Sequence, residues 1–600
     1  MCRSNVLRCR AIVWRNRDER FLLLLGFYLL CVLFLAAVWS PILRGAGPAD
    51  DAVLLAHLEA GEFGPALAIA QNAADPAIGD RWLSRIAAAQ ARVGTRGAAI
   101  DTASYIQDDR VRSDLLDNIR SQPVRTWGAS GGGTVADFTS LITLIKSTIA
   151  PISWDDVGGP GAADAFAGGV YVDTSGVMRK LSSEPAGGAL AEIHADAFRA
   201  SDNRDVRTHS RLRKVSLNRL EKQVQMLWAL GNEPDEAMRS MAGLEKVQYL
   251  FVYPGSGDIV LAGPAGDWRI DSEGRSVSTE TGRPLLNLDD FVAVLRNAYE
   301  QNGRFGCSIT PIQENLARTK AYLAESAKTA LKPGQRDRWL RQLRDQLGKQ
   351  EIEVYGIDPG SRAARVLVEA DYRMKLIGMG LEDGTLGVKS YLALIPTPKD
   401  GAAPPPMDVL RWWFTLNYTG IQATKAGDAF ELLGPGVKVL SENELVTELG
   451  ERVHTGKSDE LNQEFAHSFT SHFDLLAAKY PIYAELQNIF DLALVAALLR
   501  SEDLPGQVGW HMTFFGPAPA NGSSVYQVAL ATAPKQVETV INHRVIGGKH
   551  IVAGVSGGVA VDTTKLVQPG AIKTDDYHLM QAERSASVPK NLARDAWWWD

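Results

Sequence analysis

EFAHSFTSHFDLLAAKYPIYAELQNIFDLALVAALLR, residues 464–500, is the stretch on which the reading of this fold turns. Phe469, Phe473, Leu476 and Tyr480 recur at steps of three or four, and Leu486, Phe490, Leu494 and Leu498 at steps of four. Each set is one apolar helical face. Pro481 suits the first position of a helix and would break one from within. The spacing predicts helices over about 459–478 and 481–500, an αα-hairpin that buries both faces against neighbouring strands.

Strands and further helices surround this hairpin. Tyr249 to Tyr253 and Asp258 to Ala262 flank the turn Pro254-Gly255-Ser256-Gly257, a β-hairpin signature. Helical spacing follows at about 288–300, 311–328 and 334–348. A second β-hairpin is expected to join 351–357 to 363–370 through Asp358-Pro359-Gly360-Ser361. The Pro-rich run from Thr397 to Pro406 reads as a boundary; aromatic strand residues Arg411 to Tyr418 come after it, and 507–562 reads as strand-rich. Upstream, Gly168-Gly169-Val170-Tyr171-Val172-Asp173 reads as a turn leading into a strand. The class is α+β, in several domains.

The amino-terminal region sets the compartment. Phe21 to Trp39 (FLLLLGFYLLCVLFLAAVW) is nineteen residues without a charge. That is close to the roughly 20 needed to cross a bilayer and longer than the roughly 7–15 of a signal-peptide core. Arg3, Arg8, Arg10, Arg15, Arg17 and Arg20 precede it against Asp18 and Glu19. Basic residues stay on the cytoplasmic side, so the expected arrangement is a cytoplasmic tail 1–20, a transmembrane anchor or long signal sequence 21–39, and an extracytoplasmic remainder. Gly47-Pro48-Ala49 offers a weak cleavage site. The chain has a net charge of −7, and the remainder is more acidic still once the basic tail is set apart, which argues against a nucleic-acid partner. Of four cysteines, Cys2, Cys9 and Cys31 lie in or before the apolar run. Cys307 alone lies beyond it, so no internal disulfide is expected there.

After the anchor, Gly61-Glu62-Phe63-Gly64 with Ala66, Leu67 and Ala70 is matched by Gly94-Thr95-Arg96-Gly97 with Ala99, Ile100 and Ala103. Asp75 then matches Asp108, Leu83 matches Leu116 and Ile86 matches Ile119. Small residues at this period suit tandem helical hairpins of tetratricopeptide type, expected over 50–122. Gly128 to Gly133 is a linker. The expected map continues with a small α+β unit at 137–200, an α+β domain at 205–396, and an α+β domain with the central helical hairpin at 408–600. Trp597-Trp598-Trp599 is too apolar to stand in water and is expected to dock, on its own domain or on a partner.

Four patterns carry chemically capable side chains. Gly554-Val555-Ser556-Gly557-Gly558 fits G-x-S-x-G, but a nucleophile elbow needs a helix after it. Here Val559-Ala560-Val561 reads as strand and only His578 lies downstream, so a glycine-rich turn is expected. His454-Thr455-Gly456-Lys457-Ser458 ends like a phosphate-binding loop, yet Glu451 stands where that loop needs glycine. Glu464, His467, His472 and Asp474 fall on a predicted helix, with His472 turned away from the other three, so capping is expected and not a metal site. Cys307 has no base legible beside it and reads as a small buried residue. No catalytic, cofactor or metal residues are assigned, and neither a cofactor nor a nucleotide is expected.

Several runs resemble an uncharacterised family of large exported proteins from planctomycete-type bacteria, built on a domain of unknown function. They are Gly306 to Pro311, Val354 to Pro359, Ala370 to Lys375, Val439 to Glu444 through His454 to Ser458, and Glu464 to Thr470 continuing to Tyr483 to Ala493. The resemblance covers roughly 215–565. It implies export and carries no activity. The expected function is a membrane-tethered scaffold or binding protein of the cell envelope, held by residues 21–39 and engaging an envelope protein. The rival expectation is an envelope hydrolase assembled from distant residues such as His467, His472 or Cys307.

Overall fold

The computed structural model describes residues 48–122, 162–166, 169–173, 204–329, 332, 334–396, 409–520, 522–546, 549–575, 588–589 and 592–600. The basic tail, the apolar run Phe21–Trp39, the linker at Gly128, the Pro-rich run and His578 lie outside them, as does most of the expected unit at 137–200. Within that unit, strands Ala162–Phe166 and Gly169–Asp173 pair antiparallel.

Contacts divide the chain into two compact units, one ending at Leu115 and one beginning at Leu116. The first holds helices Pro48–Glu59, Phe63–Gln71, Pro76–Arg92 and Arg96–Ala103, and helix Asp109–Ser121 begins in it. Asp75 caps the third helix by accepting the Ala77 N–H at 2.9 Å, with Pro76 at the first helical position. Ala66, Ala70, Ala87, Ala99 and Ala103 are buried beside Leu83 and Ile86, small side chains that let helices pack closely. The buried Asp80 carboxylate accepts the N–H groups of Gln107 and Asp108 at 2.9 and 2.8 Å, fixing the turn into the next helix.

The second unit is built on two large sheets. The first runs Arg452–His454, Gly436–Val446, Val409–Asn417, Lys549–Asp562, Arg304–Pro311, Lys349–Tyr355 and Gln536–Glu538, with Ile541–Ile546 also pairing Lys549–Asp562. The second runs Ile572–Thr574, Gly420–Ala423, Ala429–Leu433, Tyr249–Tyr253, Asp258–Ala265, Ser210–Ser216 and Trp598–Trp599. Each sheet takes strands from both sides of the Pro-rich run. The expected division into domains 205–396 and 408–600 therefore does not hold: separating them would strip backbone hydrogen bonds from both sheets.

The helical stretch folds as Glu460–Ser471, Phe473–Lys479 and Pro481–Ser501. A single residue, His472, breaks the first predicted helix, its ring Nδ1–H donating to the Ser468 carbonyl at 2.8 Å. Pro481–Ser501 is the one helix among the described residues long and apolar enough to span a membrane. It is buried along nearly its whole length and packs on Leu288–Glu300, Arg362–Gly378 and Phe473–Lys479, as the core helix of this unit. The rings of Phe414, Phe469 and Phe473 pack around Tyr483 of this helix.

Two local expectations are corrected. Residues 362–378 form a helix and not the return strand of a hairpin. Ser361 caps it by accepting the Ala364 N–H at 3.2 Å, and Ala363, Ala364, Leu367, Ala370, Asp371, Met374 and Gly378 form its buried side. The turn Asp358–Ser361 thus begins a helix, a use that Asp-Pro-Gly-Ser shares with hairpin turns. Residues 507–535 are largely irregular; strands resume at Gln536–Glu538. The tryptophans dock on their own chain: Trp598 pairs with Val215 and Trp599 with Lys214, and Trp597 and Trp599 are buried.

Candidate functional site

Strand alternation places a polar cluster on one face of the first sheet. Arg411 stands opposite Glu442, Glu444 opposite His454, and Ser556 beside Arg411. Arg452 grips the Glu444 carboxylate as a fork, Nη2 to Oε1 at 2.6 Å and Nε to Oε2 at 2.8 Å. The same Nη2 donates to Ser556 Oγ at 2.9 Å. Glu442 accepts from Arg411 at 3.0 Å and from the Gly456 N–H at 2.7 Å. His454 Nδ1 lies 3.0 Å from Glu444 and 3.3 Å from Glu442, while its ring is 58% exposed. Burial pushes the Glu442 carboxyl up, but the Gly456 N–H, Arg411 and His454 hold it below the usual range.

Ligand atoms of Glu442, Glu444 and His454 lie within 4.8 Å of one another, close enough for a metal ion. The donor set does not suit one, because two guanidiniums already neutralise the two carboxylates and a cation would have to displace Arg452. What the arrangement does provide is a solvent-exposed imidazole oriented through Nδ1 by two carboxylates. The sequence offered His454 and Ser556 only within two unrelated patterns, and neither the carboxylates nor the arginines as their partners. Glu442 and Glu444 stand two apart in a strand, the signature of one shared face, but only the register brings Arg411, Arg452 and His454 to them.

A second cluster is buried beneath the opposite face. Asp371 and Lys375 are fully enclosed, with Lys375 Nζ 2.7 Å from Asp371 Oδ2. Cys307 lies within electrostatic reach of both. Burial and the nearby Asp371 push the Cys307 thiol far up. The thiolate is the reactive form. Iodoacetamide applied to the native protein is therefore expected to leave the Cys307 peptide unlabelled, while unfolded protein labels fully. Labelling of the native peptide, read by mass spectrometry, would contradict this burial.

A third cluster ties helices together. Arg275 reaches Glu485 at 2.8 Å and Glu369 at 3.1 Å, and Arg362 bridges Asp290 and Glu485. Burial raises the Asp290 carboxyl to about 7 against the opposing pull of Arg362, with Glu485 and Asp289 adding to the rise. Burial likewise raises Asp491, which accepts from Tyr418, to about 6. Both folded values lie above the unfolded one near 4. The stability they contribute is full below about pH 4 and is lost as pH rises through 6 and 7. Thermal unfolding between pH 5 and 8 should show a falling midpoint, and Asp290→Asn should flatten that fall. An unchanged slope would mean that Asp290 is ionised throughout.

The other sequence candidates are set apart from one another. Ser556 lies inside the strand Lys549–Asp562 and not at a turn, fully buried, with its hydroxyl 3.2 Å from Glu444. Gly557 there is a close-approach residue, since a Cβ would stand 1.8 Å from the Trp412 carbonyl oxygen. Gly456 donates its N–H to the Glu442 carboxylate, so the donor a phosphate would need there is already taken by an anionic side chain of the chain itself. His467 is exposed on its helix, and His472 binds the Ser468 carbonyl in the break between two helices. Cys307, His467 and His472 make no hydrogen bond with one another.

No curated protein and no solved structure matches the chain. A family described as "Protein of unknown function (DUF1598)" matches residues 307–391, a span that opens at Cys307, takes in Asp371 and Lys375, and closes at Tyr391.

Proposed function

We propose that this chain is a membrane-tethered, exported binding or scaffolding protein of the cell envelope. It is held by the apolar run Phe21–Trp39, with the arginine-rich tail inside and the sheets outside. The arginine bias about that run supports the orientation. The resemblance to exported proteins of planctomycete-type bacteria supports the compartment.

The observation that carries the binding role is the helical unit. Its helices that start at Phe63 and Pro76 are followed, at the period of the sequence repeat, by helices that start at Arg96 and Asp109. Tandem hairpins of this kind present a continuous surface; Val111 is exposed on helix Asp109–Ser121, Val93 just past the end of Pro76–Arg92, and Val53 and Leu55 on the preceding helix Pro48–Glu59. The test is a crosslinked capture of the tagged full chain from the envelope fraction, beside a Val93→Asp, Val111→Asp variant. A stoichiometric envelope protein lost in the variant supports the reading. An equal yield from both, or no partner, removes it. Resistance of the full chain to alkaline extraction, lost on deletion of residues 21–39, tests the tether separately.

One observation favours the hydrolase reading, namely His454, oriented by two carboxylates and open to solvent. Under the scaffold reading His454→Ala leaves the phenotype of the gene intact. Loss of phenotype in folded, membrane-held protein would favour the hydrolase.

A further inference from the structure

Asp371 and Lys375 lie one helical turn apart on the same face of helix Arg362–Gly378. Both side chains are 0% exposed, and Nζ stands 2.7 Å from Oδ2. Beyond that contact and the Gly558 N–H that faces the carboxyl, neither Asp371 oxygen nor Lys375 Nζ has a well-aligned hydrogen-bond partner. Two charges enclosed in this way are costly unless hydrogen bonds satisfy them. An ammonium has three donors to satisfy and a carboxylate about four lone-pair sites. The enclosure leaves both groups short of partners.

We propose that Asp371 and Lys375 are joined by an amide bond between Asp371 Cγ and Lys375 Nζ, an intrahelical cross-link formed inside the folded core. Burial drives Asp371 toward the neutral acid and Lys375 toward the neutral amine, the two forms that react. The amine lone pair attacks Cγ and the C–N bond forms. The Cγ–hydroxyl bond breaks, and the hydroxyl leaves as water with a proton taken from nitrogen. Atoms and electrons balance with no oxidant, reductant or activating group. The backbone N–H of Gly558 faces the carboxyl and can stabilise the oxyanion as it develops. Gly557 leaves room for this approach, because a Cβ there would stand 3.0 Å from Asp371 Oδ1.

Proximity lowers the barrier, and enclosure away from water removes the solvent that would favour hydrolysis. Condensing an acid with an amine in water is opposed by the solvent, whereas well-oriented intramolecular partners reach effective molarities of about 10⁵–10⁸ M. The product replaces two poorly satisfied charges with one neutral amide. Cys307 faces the same spot from Arg304–Pro311, and its thiol stays protonated there, so it does not compete as a thiolate nucleophile. The pair falls within the stretch matched by the family of unknown function.

The experiment is tryptic peptide mapping of the purified, denatured full chain by mass spectrometry. Trypsin cuts after Arg365, Arg373 and Lys375 in an unlinked chain. The expected species joins Val366–Arg373 to a peptide beginning at Met374, uncut after Lys375, at the summed mass less one water. Asp371→Asn should give the same linked species with loss of ammonia from the encoded mass, and Lys375→Met should give none. Free Val366–Arg373 and free Met374–Lys375 at full mass would overturn the proposal. So would a Val366–Arg373 peptide that has lost water but is unlinked, since that marks closure of Asp371 on its own backbone.

Discussion

Removal of Trp597 to Asp600 should lower the stability of the second unit by more than about 5 kcal/mol. Trp597 and Trp599 are 6% and 8% exposed, and burying an indole contributes about 3 kcal/mol or more. The segment also completes the second sheet. Its two-residue strand pairs with Ser210–Ser216, and the Trp597 carbonyl accepts the Ser216 N–H at 2.8 Å. Without it, that strand becomes an unprotected edge. The anchor beneath is Arg213, a fully enclosed guanidinium that donates to the carbonyls of Val206, Thr208 and Ala242 and to the Asp600 carboxylate at 2.9 and 3.1 Å. Trp598 lies 4.6 Å over it. Arg213→Ala, which removes a donor from three carbonyls and the Asp600 carboxylate, should cost about 3–5 kcal/mol. Asp600→Asn should cost only about 1 kcal/mol, because that carboxylate is 45% exposed and half screened by solvent. Urea unfolding of the three variants reads all of this as midpoint shifts at unchanged slope. A truncated protein with the wild-type midpoint would mean that the tryptophans dock elsewhere.

These tryptophans illustrate what a sequence can and cannot disclose here. Three adjacent indoles announce that they must be covered, but not by what; the cover is an edge strand nearly four hundred positions earlier. The apolar steps of 464–500 likewise announced two helical faces, and the hairpin Tyr249–Ala265 followed from its turn. Local periodicity and turn chemistry suffice for such elements, because the residues that decide them lie close in the chain. Asp358-Pro359-Gly360-Ser361 misled because a turn before a helix and a turn within a hairpin call for the same residues. What decided between them was a face of period 3.6 beyond Ser361, masked by its β-branched content (Val366, Val368). The domain boundary at the Pro-rich run failed for a non-local reason: in each sheet the strands that precede it are flanked on both sides by strands that follow it. The polar cluster was less legible still. Glu442 with Glu444 and Asp371 with Lys375 have periods that assign a shared face, two and four residues. Nothing in those spacings says that guanidiniums from two other strands neutralise the first pair, or that a sheet encloses the second. Both facts belong to register and packing.

Trp412→Ala is the single substitution expected to damage the core most, by about 3–5 kcal/mol. Its side chain is wholly buried, its ring centroid lies 4.1 Å from that of Phe465 and 6.2 Å from that of Tyr391, and its indole N–H donates to Asn462 Oδ1 at 2.5 Å. Truncation therefore loses the apolar contact, opens a cavity and strips a buried amide of its donor at once. The site also explains Gly378. A Cβ there would stand 2.1 Å from the Trp412 ring and 2.8 Å from Phe465, so the last turn of helix Arg362–Gly378 lies flush against the indole. Gly378→Ala should then cost about 1–3 kcal/mol through overpacking, although alanine favours a helix more than glycine does. The two effects share one volume, so they must not add. In the double variant Trp412→Phe, Gly378→Ala the smaller ring vacates the space the methyl needs, and the measured loss should fall below the sum of the single losses by at least about 1 kcal/mol. Additive losses in urea unfolding would show that the helix end and the indole do not touch. Non-additivity would fix the packing of Arg362–Gly378 on the sheet, and with it the enclosure that holds Asp371 and Lys375 out of water.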